Sequence, residues 1–297
     1  MSTANPQALL VTGASGHLGR RVIELLLESG PGRIIATTRS PDKLADLAAR
    51  GVEVRAADFD DPSSLAGAFA GADRLLLIST DALDGTDRRI VQHSNAVAAA
   101  ERAGVKHVVY TSLTRPEPGS PIAIAPDHYA TEQALAASSL DWTVLRNNVY
   151  TDMFLQSLPR AVATGQLVAA AGNGGAGYVT REDCARAAAA ALAAHSSGRT
   201  TLDITGPEVV THAELAQTLS AIVERPVKYI PLEPEVMVGG MVAAGLPEVV
   251  ARLLVTFDIG VARGTLAVAS SAVADLTGKA PQSVAAFLAA NREALLA

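Results

Sequence analysis

Residues 8–19 read Ala8-Leu9-Leu10-Val11-Thr12-Gly13-Ala14-Ser15-Gly16-His17-Leu18-Gly19: an apolar run, then three glycines spaced G-x-x-G-x-x-G. The apolar residues of 18–29 then recur at helical spacing. A buried strand that breaks on glycines and restarts as a helix is suited to an anion. The glycines permit a tight bend, and the backbone N–H groups at the helix start face a pyrophosphate. In that reading Gly13, Ser15, Gly16, His17, Leu18 and Gly19 form the cradle, Ser15 adding a hydroxyl and His17 a backbone N–H. The alternative is a purely structural turn.

Moving outward, strand and helix alternate at the length of a βαβ unit. Further strands are expected at 33–38, 52–57, 75–79, 106–111 and 142–146, and helices at 41–50, 62–70, 87–103 and 126–138. The strands are apolar runs, which predicts a parallel sheet covered on both faces. The expected fold is therefore α/β, a doubly wound (Rossmann) domain over 1–150 followed by a smaller mixed α/β lobe over 151–297, some of whose segments return to the sheet. That lobe is expected to hold a helix at 151–164, a strand at 167–171, the glycine-rich GNGGAG at 172–177, an Ala-rich helix from Arg181, a strand at 201–204, and a strand at 227–230. Thr211, with Glu214 three residues on, caps another helix. Its Ala, Val and Leu content suits a lid and pocket for an apolar ligand, or ordinary packing. Met237, Met241, Leu246, Val249, Leu253, Phe154 and Tyr178 fit either description.

Composition narrows the function. The 297 residues carry 24 Lys+Arg against 30 Asp+Glu, and only four are lysine (Lys43, Lys106, Lys228, Lys279), so there is no basic tract for a nucleic acid. Two stretches look membrane-like. Residues 184–194 are too short and hold Arg186, while 236–255 is interrupted by Gly239, Gly240, Gly245 and Pro247 and carries Glu248 and Arg252. Both are expected to be buried or packed helices. The start, MSTANPQ, lacks the charged and apolar regions of a signal peptide, and the lone Cys184 cannot form an intramolecular disulfide and is expected to be buried. A cytoplasmic protein with a small apolar or aromatic substrate is expected, with neither membrane nor nucleic-acid partner; a homo-oligomer is left open. No His, Cys, Asp or Glu cluster has metal-site spacing.

The choice of dinucleotide rests on the end of the second strand, where an acidic residue would hold a ribose 2′-OH. Arg39 stands there, with Lys43 one helical turn later. A guanidinium matches a 2′-phosphate and an ammonium adds charge, so NADP(H) is expected; a solvated Arg and Lys is the alternative. Asp58 and Phe59, just past the third strand, are placed to flank an adenine, and Asp58 could equally enter a helix.

The glycine turn, the Arg39 strand end and Tyr110-Thr111-Ser112-Leu113 resemble the short-chain dehydrogenase/reductase superfamily. The resemblance implies a catalytic Ser, a Tyr, and a Lys four residues after that Tyr, whose ammonium favours the phenolate. Ser112 and Tyr129 fall in the matching places, but Gln133 stands where the lysine would be, and no tyrosine of this chain has lysine four residues on. The chain is more similar to the NmrA-like atypical branch, especially bacterial NADPH:quinone oxidoreductases of type two and triphenylmethane reductases. Gln92-His93 with Asn95, Ala103-Gly104-Val105-Lys106, His128…Thr131-Glu132, Leu145-Arg146-Asn147 with Tyr150, and Thr180-Arg181…Asp183 carry that similarity. Relatives commonly have Lys after the Thr-Glu pair and an aliphatic residue in place of Tyr129.

A nicotinamide across the carboxyl ends of the strands would neighbour Ser79, Thr80, Thr111, Ser112, and Asn147, Asn148 and Tyr150. His128 is expected to be an exposed helix-start histidine, and His93 to face either cofactor or core. The expected activity is NADPH-dependent hydride transfer to a quinone-like or other electron-poor acceptor. The alternatives are a ketone or imine reductase using Tyr129 as proton donor, and a non-catalytic NADP(H)-sensing regulator.

Overall fold

The seven residues 107–113 and the four residues 8–11 are buried without exception, a pattern that only a strand covered on both faces accommodates. The computed structural model describes residues 7–30, 32–83 and 85–296; the start MSTANP, read above for a signal peptide, lies outside the described residues. In chain order come β1 (Ala8–Val11), α1 (His17–Ser29), β2 (Arg33–Thr38), α2 (Ala45–Ala49), β3 (Glu53–Ala56), α3 (Pro62–Phe69), β4 (Arg74–Leu77), α4 (Arg88–Arg102), β5 (His107–Leu113), α5 (Ala125–Ala137) and β6 (Asp141–Asn147). There follow α6 (Phe154–Thr164), β7 (Gln166–Ala169), β8 (Gly175–Ala176), α7 (Arg181–Ala193), β9 (Arg199–Ile204), β10 (Val210–Thr211), α8 (His212–Val223), β11 (Lys228–Pro231), α9 (Pro234–Ala243) and α10 (Glu248–Ala262). Three short helices end the chain: α11 (Ala272–Thr277), α12 (Val284–Ala290) and α13 (Arg292–Leu296).

The main sheet has seven strands in the order β3-β2-β1-β4-β5-β6-β9. Pairing around β1 is parallel, with Val11 opposite Ala36 on one side and Leu76 on the other, and Leu77 opposite Tyr110 one strand further. The strand order reverses between β1 and β4, the switch point beyond which ligands sit in such sheets. This is the expected doubly wound fold, with β9 returning to the sheet from the second half.

The chain forms two compact units. One contains residues 1–113, 127–146 and 184–202; the other contains 114–126, 147–183 and 203–297. Against a cut at 150, residues 114–126 and 147–150 fall in the second unit and 184–202 in the first. In the first unit Leu10, Phe69, Leu75, Val108, Tyr110 and Leu135 share one core. Arg74 is buried there and its guanidinium donates to the carbonyls of Ala191 (3.1 Å), Leu192 (2.8 Å) and Ser196 (2.9 Å), satisfying the C-terminal end of α7. α7 is buried along Ala185, Ala187, Ala188 and Leu192, and Cys184 is buried too, as expected.

The stretch 236–255 departs from expectation. It forms two helices, α9 and α10, and Val236, Val242, Val249 and Val250 are exposed, Val249 to 67%. One face alone packs: Val238, Ala251 and Val255 gather against Met237, Met241 and Ile259. The glycines at 239, 240 and 245 supply no side chains that could bury a second face. No helix among the described residues is long and apolar enough to cross a membrane.

Candidate dinucleotide site

The turn after β1 is built by its glycines. Gly13 has φ +59°, in the left-handed region, and a Cβ on Gly19 would lie 2.5 Å from the Gly13 carbonyl oxygen. The third glycine thus lets α1 close onto the bend. Gly16 is the N-cap of α1, extended at φ −82° and ψ 166°, and no side chain among the described residues caps the helix. Gly13, Ser15, Gly16 and His17 are exposed and Leu18 is half-buried. The first N–H groups of α1 therefore have no capping side chain competing for them, which fits a pyrophosphate. The turn is also sewn to its neighbours. Thr12 N–H donates to the Leu76 carbonyl (3.0 Å), Ile78 N–H to the Thr12 hydroxyl (2.9 Å), and Ala14 N–H to the Thr37 carbonyl (3.1 Å). Ser15 Oγ lies 2.9 Å from Thr38 Oγ1, at the end of β2.

One strand over, Arg39 and Lys43 are exposed, and among the described residues neither side chain has a hydrogen bond or ion pair. Arg20 of α1 holds the short turn carrying Lys43, donating to the Lys43 carbonyl (2.9 Å) while paired with Asp46 (2.6 Å). The 58–60 loop is fastened to α4: Asn95 donates to the Phe59 carbonyl (3.1 Å), and Arg88 and Gln92 donate to Asp60, whose carboxyl they hold down to about 2. Phe59 packs half-buried against the core. Asp58 accepts the Asp60 N–H (3.0 Å) and its own N–H goes to Ser64 (3.0 Å), while the N-cap of α3 is Asp61, which accepts the Ser63 N–H (3.0 Å).

At the carboxyl ends of β4 and β5, Ser79 N–H donates to Thr111 Oγ1 (2.9 Å) and Thr80 N–H to His93 Nε2 (3.0 Å). Ser112 donates its hydroxyl to Glu132 Oε1 (2.6 Å), and Arg146 grips Glu132 through two bonds of 3.0 and 2.6 Å. Tyr129 is half-buried, its phenol without a hydrogen-bond partner among the described residues, and Gln133 is exposed. Among the described residues the Ser112 hydroxyl is hydrogen-bonded to Glu132, and no hydrogen bond joins it to Tyr129 or Gln133.

His128 is a correction: it is 4% exposed. Its Nε2 lies 3.0 Å from Arg89 Nη2 and its Nδ1 2.9 Å from Tyr110 Oη. A guanidinium can only donate, so Nε2 accepts and Nδ1 carries the proton. Burial keeps this imidazole well below its ordinary pKa and pushes the Tyr110 phenol up. The signal for an inward His128 is in the sequence: His128, Thr131, Glu132 and Leu135 have the i, i+3, i+4, i+7 spacing of one helix stripe, and all four are buried.

In the second unit, Asn147 Nδ2 donates to Tyr150 Oη (3.2 Å) and its buried Oδ1 has no hydrogen-bond partner among the described residues. Asn148 is engaged at both ends, donating to the Leu266 carbonyl (3.0 Å) and accepting the Val149 N–H (2.8 Å), so it anchors local loops. The Arg181 guanidinium stands 5.4 Å from the Tyr150 ring centre. Phe154 and Tyr178 pack on each other at 4.9 Å. Among the described residues no cluster of His, Cys, Asp or Glu could hold a metal ion.

A glycine turn after β1, beside the switch point, with two cations one strand over that have no partner among the described residues, defines the class, that of nicotinamide-dinucleotide-binding proteins. A family model described as NAD(P)H-binding matches residues 13–195, and the chain belongs to this family. More particularly, quinone oxidoreductase 2 of Escherichia coli strain K12 is 36% identical over 271 residues, covering 91% of this chain and 93% of that protein. The crystal structure of the NADPH-dependent quinone oxidoreductase of Escherichia coli complexed with NADPH superimposes with a TM-score of 0.90 at 34% identity, over 96% of this chain and 99% of that one. Citrobacter sp. triphenylmethane reductase complexed with NADP(H) gives 0.88 at 37% identity, over 94% and 99%. The similarity read from the sequence is borne out.

Proposed function

We propose that the chain is an NADPH-dependent reductase of a small, flat, electron-poor acceptor such as a quinone, working in the cytoplasm. The turn of Gly13, Ser15, Gly16, His17, Leu18 and Gly19 would hold the pyrophosphate, Arg39 and Lys43 the 2′-phosphate, Asp58 and Phe59 the adenine side, and Ser79, Thr80 and Thr111 the nicotinamide side. NADPH, when bound, supplies a hydride. The observation that carries the choice of acceptor is the fate of the Ser112 hydroxyl, which is spent on Glu132, itself neutralised by Arg146. No lysine stands one turn after Tyr129, where the exposed Gln133 lies. An ordinary ketone develops alkoxide character on reduction and needs an efficient acid; a quinone or a triarylmethyl cation gives a stabilised product that takes any proton from water. The relatives named for quinones and triphenylmethane dyes support the same class. One observation favours a second reading, ketone or imine reduction: the Tyr129 phenol is half-buried and has no partner among the described residues.

The test follows NADPH oxidation with quinones, triarylmethane dyes, cyclic imines and ketones. Turnover is expected with the first two groups and should largely persist in Tyr129→Phe. Tight NADPH binding with no turnover by any acceptor overturns the proposal in favour of a sensor, and loss of quinone activity in Tyr129→Phe favours the proton-donor reading.

A further inference from the structure

His93 of α4 is fully buried, and both of its ring nitrogens are used. Nε2 accepts the Thr80 N–H at 3.0 Å, so the proton is on Nδ1, which donates to Thr131 Oγ1 at 2.8 Å; that hydroxyl in turn donates to the Asp127 carbonyl at 2.8 Å. The ring stands edge-on to Tyr110 with centres 5.7 Å apart, and Tyr110 is itself held by His128. The preceding N–H, of Ser79, goes to the Thr111 hydroxyl. Two consecutive backbone N–H groups just beyond β4 are therefore fixed by side chains from two different neighbours, α4 and β5. A helix carbonyl or a water would satisfy Thr80 equally well if solubility of one N–H were all that mattered. An imidazole wedged against an aromatic ring also sets where the loop lies.

We propose that His93 is a positioning residue for bound NADPH, fixing the Ser79–Thr80 backbone at the carboxyl end of β4 through an Nδ1–H tautomer that Thr131 imposes. The proposal rests on the dinucleotide reading above. Burial, with the Arg89 charge nearby, holds the imidazole near a pKa of about 3, so Nε2 stays an acceptor at neutral pH.

Calorimetric Kd values for NADPH and NADP+, kcat and KM with a quinone, and Tm are measured for wild type, His93→Phe, His93→Gln and Thr131→Val. His107→Phe serves as a control, since His107 is a buried histidine at the start of β5 that bonds Thr143 (2.9 Å). His93→Phe is expected to raise both Kd values about tenfold and lower kcat, while His93→Gln, whose amide oxygen can accept the Thr80 N–H, stays within about threefold of wild type. The control is expected to lose Tm alone. If His93→Phe does not fold, Thr131→Val carries the test, with an expected rise in Kd of about threefold from the unlocked tautomer. A side-chain 15N spectrum showing His93 as Nδ1–H agrees with the proposal, and an Nε2–H form overturns it. Kd and kcat within about twofold of wild type in both His93 variants, with only Tm lowered, reduce His93 to core packing and overturn the proposal while leaving the dinucleotide reading intact. A wild-type protein that binds no NADPH overturns both.

Discussion

The two glycine-rich loops at 13–19 and 172–177 look interchangeable as sequence, yet the constraint on their glycines comes from opposite directions. In the first it is internal: Gly13 needs a positive φ, Gly19 approaches the Gly13 carbonyl, and the outer surface of the turn stays exposed. In the second it is external. A Cβ at Gly174 would lie 2.0 Å from the Val261 carbonyl oxygen, at Gly175 2.8 Å from Val209 Cγ1, and at Gly177 1.9 Å from the Val268 carbonyl oxygen. There the glycines exist because other backbone segments of the same unit occupy the space a side chain would need. A glycine cluster becomes a binding feature only when nothing from the protein closes over it.

The sharpest break between the loops is expected from Gly177→Ala. Its Cβ would meet the Val268 carbonyl oxygen at 1.9 Å, so the variant should lose about 3 kcal/mol or more in urea unfolding, and whatever folds should bind NADPH within about twofold of wild type. Gly19→Ala, whose Cβ would lie 2.5 Å from the Gly13 carbonyl oxygen, should lose stability too, but because the clash distorts the anion turn itself it should also weaken NADPH by about tenfold or more. Equal signatures from the two variants would sink the distinction. Next in size is Arg39→Asp, which replaces an unpaired guanidinium by a carboxylate beside the expected 2′-phosphate. NADPH affinity should fall about 100-fold and NADH affinity by less than about threefold. Equal losses for the two nucleotides would reject the phosphate assignment.

The sequence marks the first loop more clearly than the second for a physical reason. Strand, turn and helix follow one another within 8–29, so local residues alone define the cradle. The contacts that explain Gly174 and Gly177 come from residues about 90 positions away, which no local pattern contains. The same limit applies to Ser112. The family resemblance names Ser112 with Tyr129, with Gln133 in place of the relay lysine; its hydroxyl meets Glu132 because α5 turns the 128, 131, 132, 135 stripe inward. That stripe was legible as a helical period. The partners Arg146 and Arg89 were not, since each comes from a different element.

Acid should separate the two regions further. His212, at the start of α8, packs between Tyr178 and Tyr229, its Nδ1 without a hydrogen-bond partner among the described residues, and burial lowers it to about 4. Its folded pKa lies below the unfolded value, so the stability it contributes is complete above about pH 6.5 and is lost as pH falls toward 4. At pH 5 the loss is about 2 kcal/mol relative to pH 7.5. His212→Phe should shrink the difference between urea unfolding at these two pH values by about that amount. His93 works in the same direction in the first unit, so a slope should remain. An unchanged slope in the variant would show that His212 is not buried in its neutral form.

The smallest effects compare two helix starts. α8 has a full capping box: Thr211 Oγ1 accepts the Glu214 N–H at 3.2 Å and Glu214 Oε2 accepts the Thr211 N–H at 2.8 Å. α1 starts on Gly16 with no side-chain cap. Thr211→Ala should therefore cost about 1 kcal/mol of stability with no change in NADPH affinity. Gly16→Ser should do the opposite on both counts. Its extended backbone accepts a side chain, and its Cβ would sit 3.3 Å from the Gly13 carbonyl oxygen, a close contact relieved by a shift of a few tenths of an ångström in the turn. The new hydroxyl would cap α1, adding a few tenths of a kcal/mol, while taking an N–H that the pyrophosphate needs and weakening NADPH severalfold, about 1 kcal/mol. If Gly16→Ser gains stability and keeps its NADPH affinity, the bare helix start is not the anion cradle, and the distinction between the two glycine loops loses its functional half.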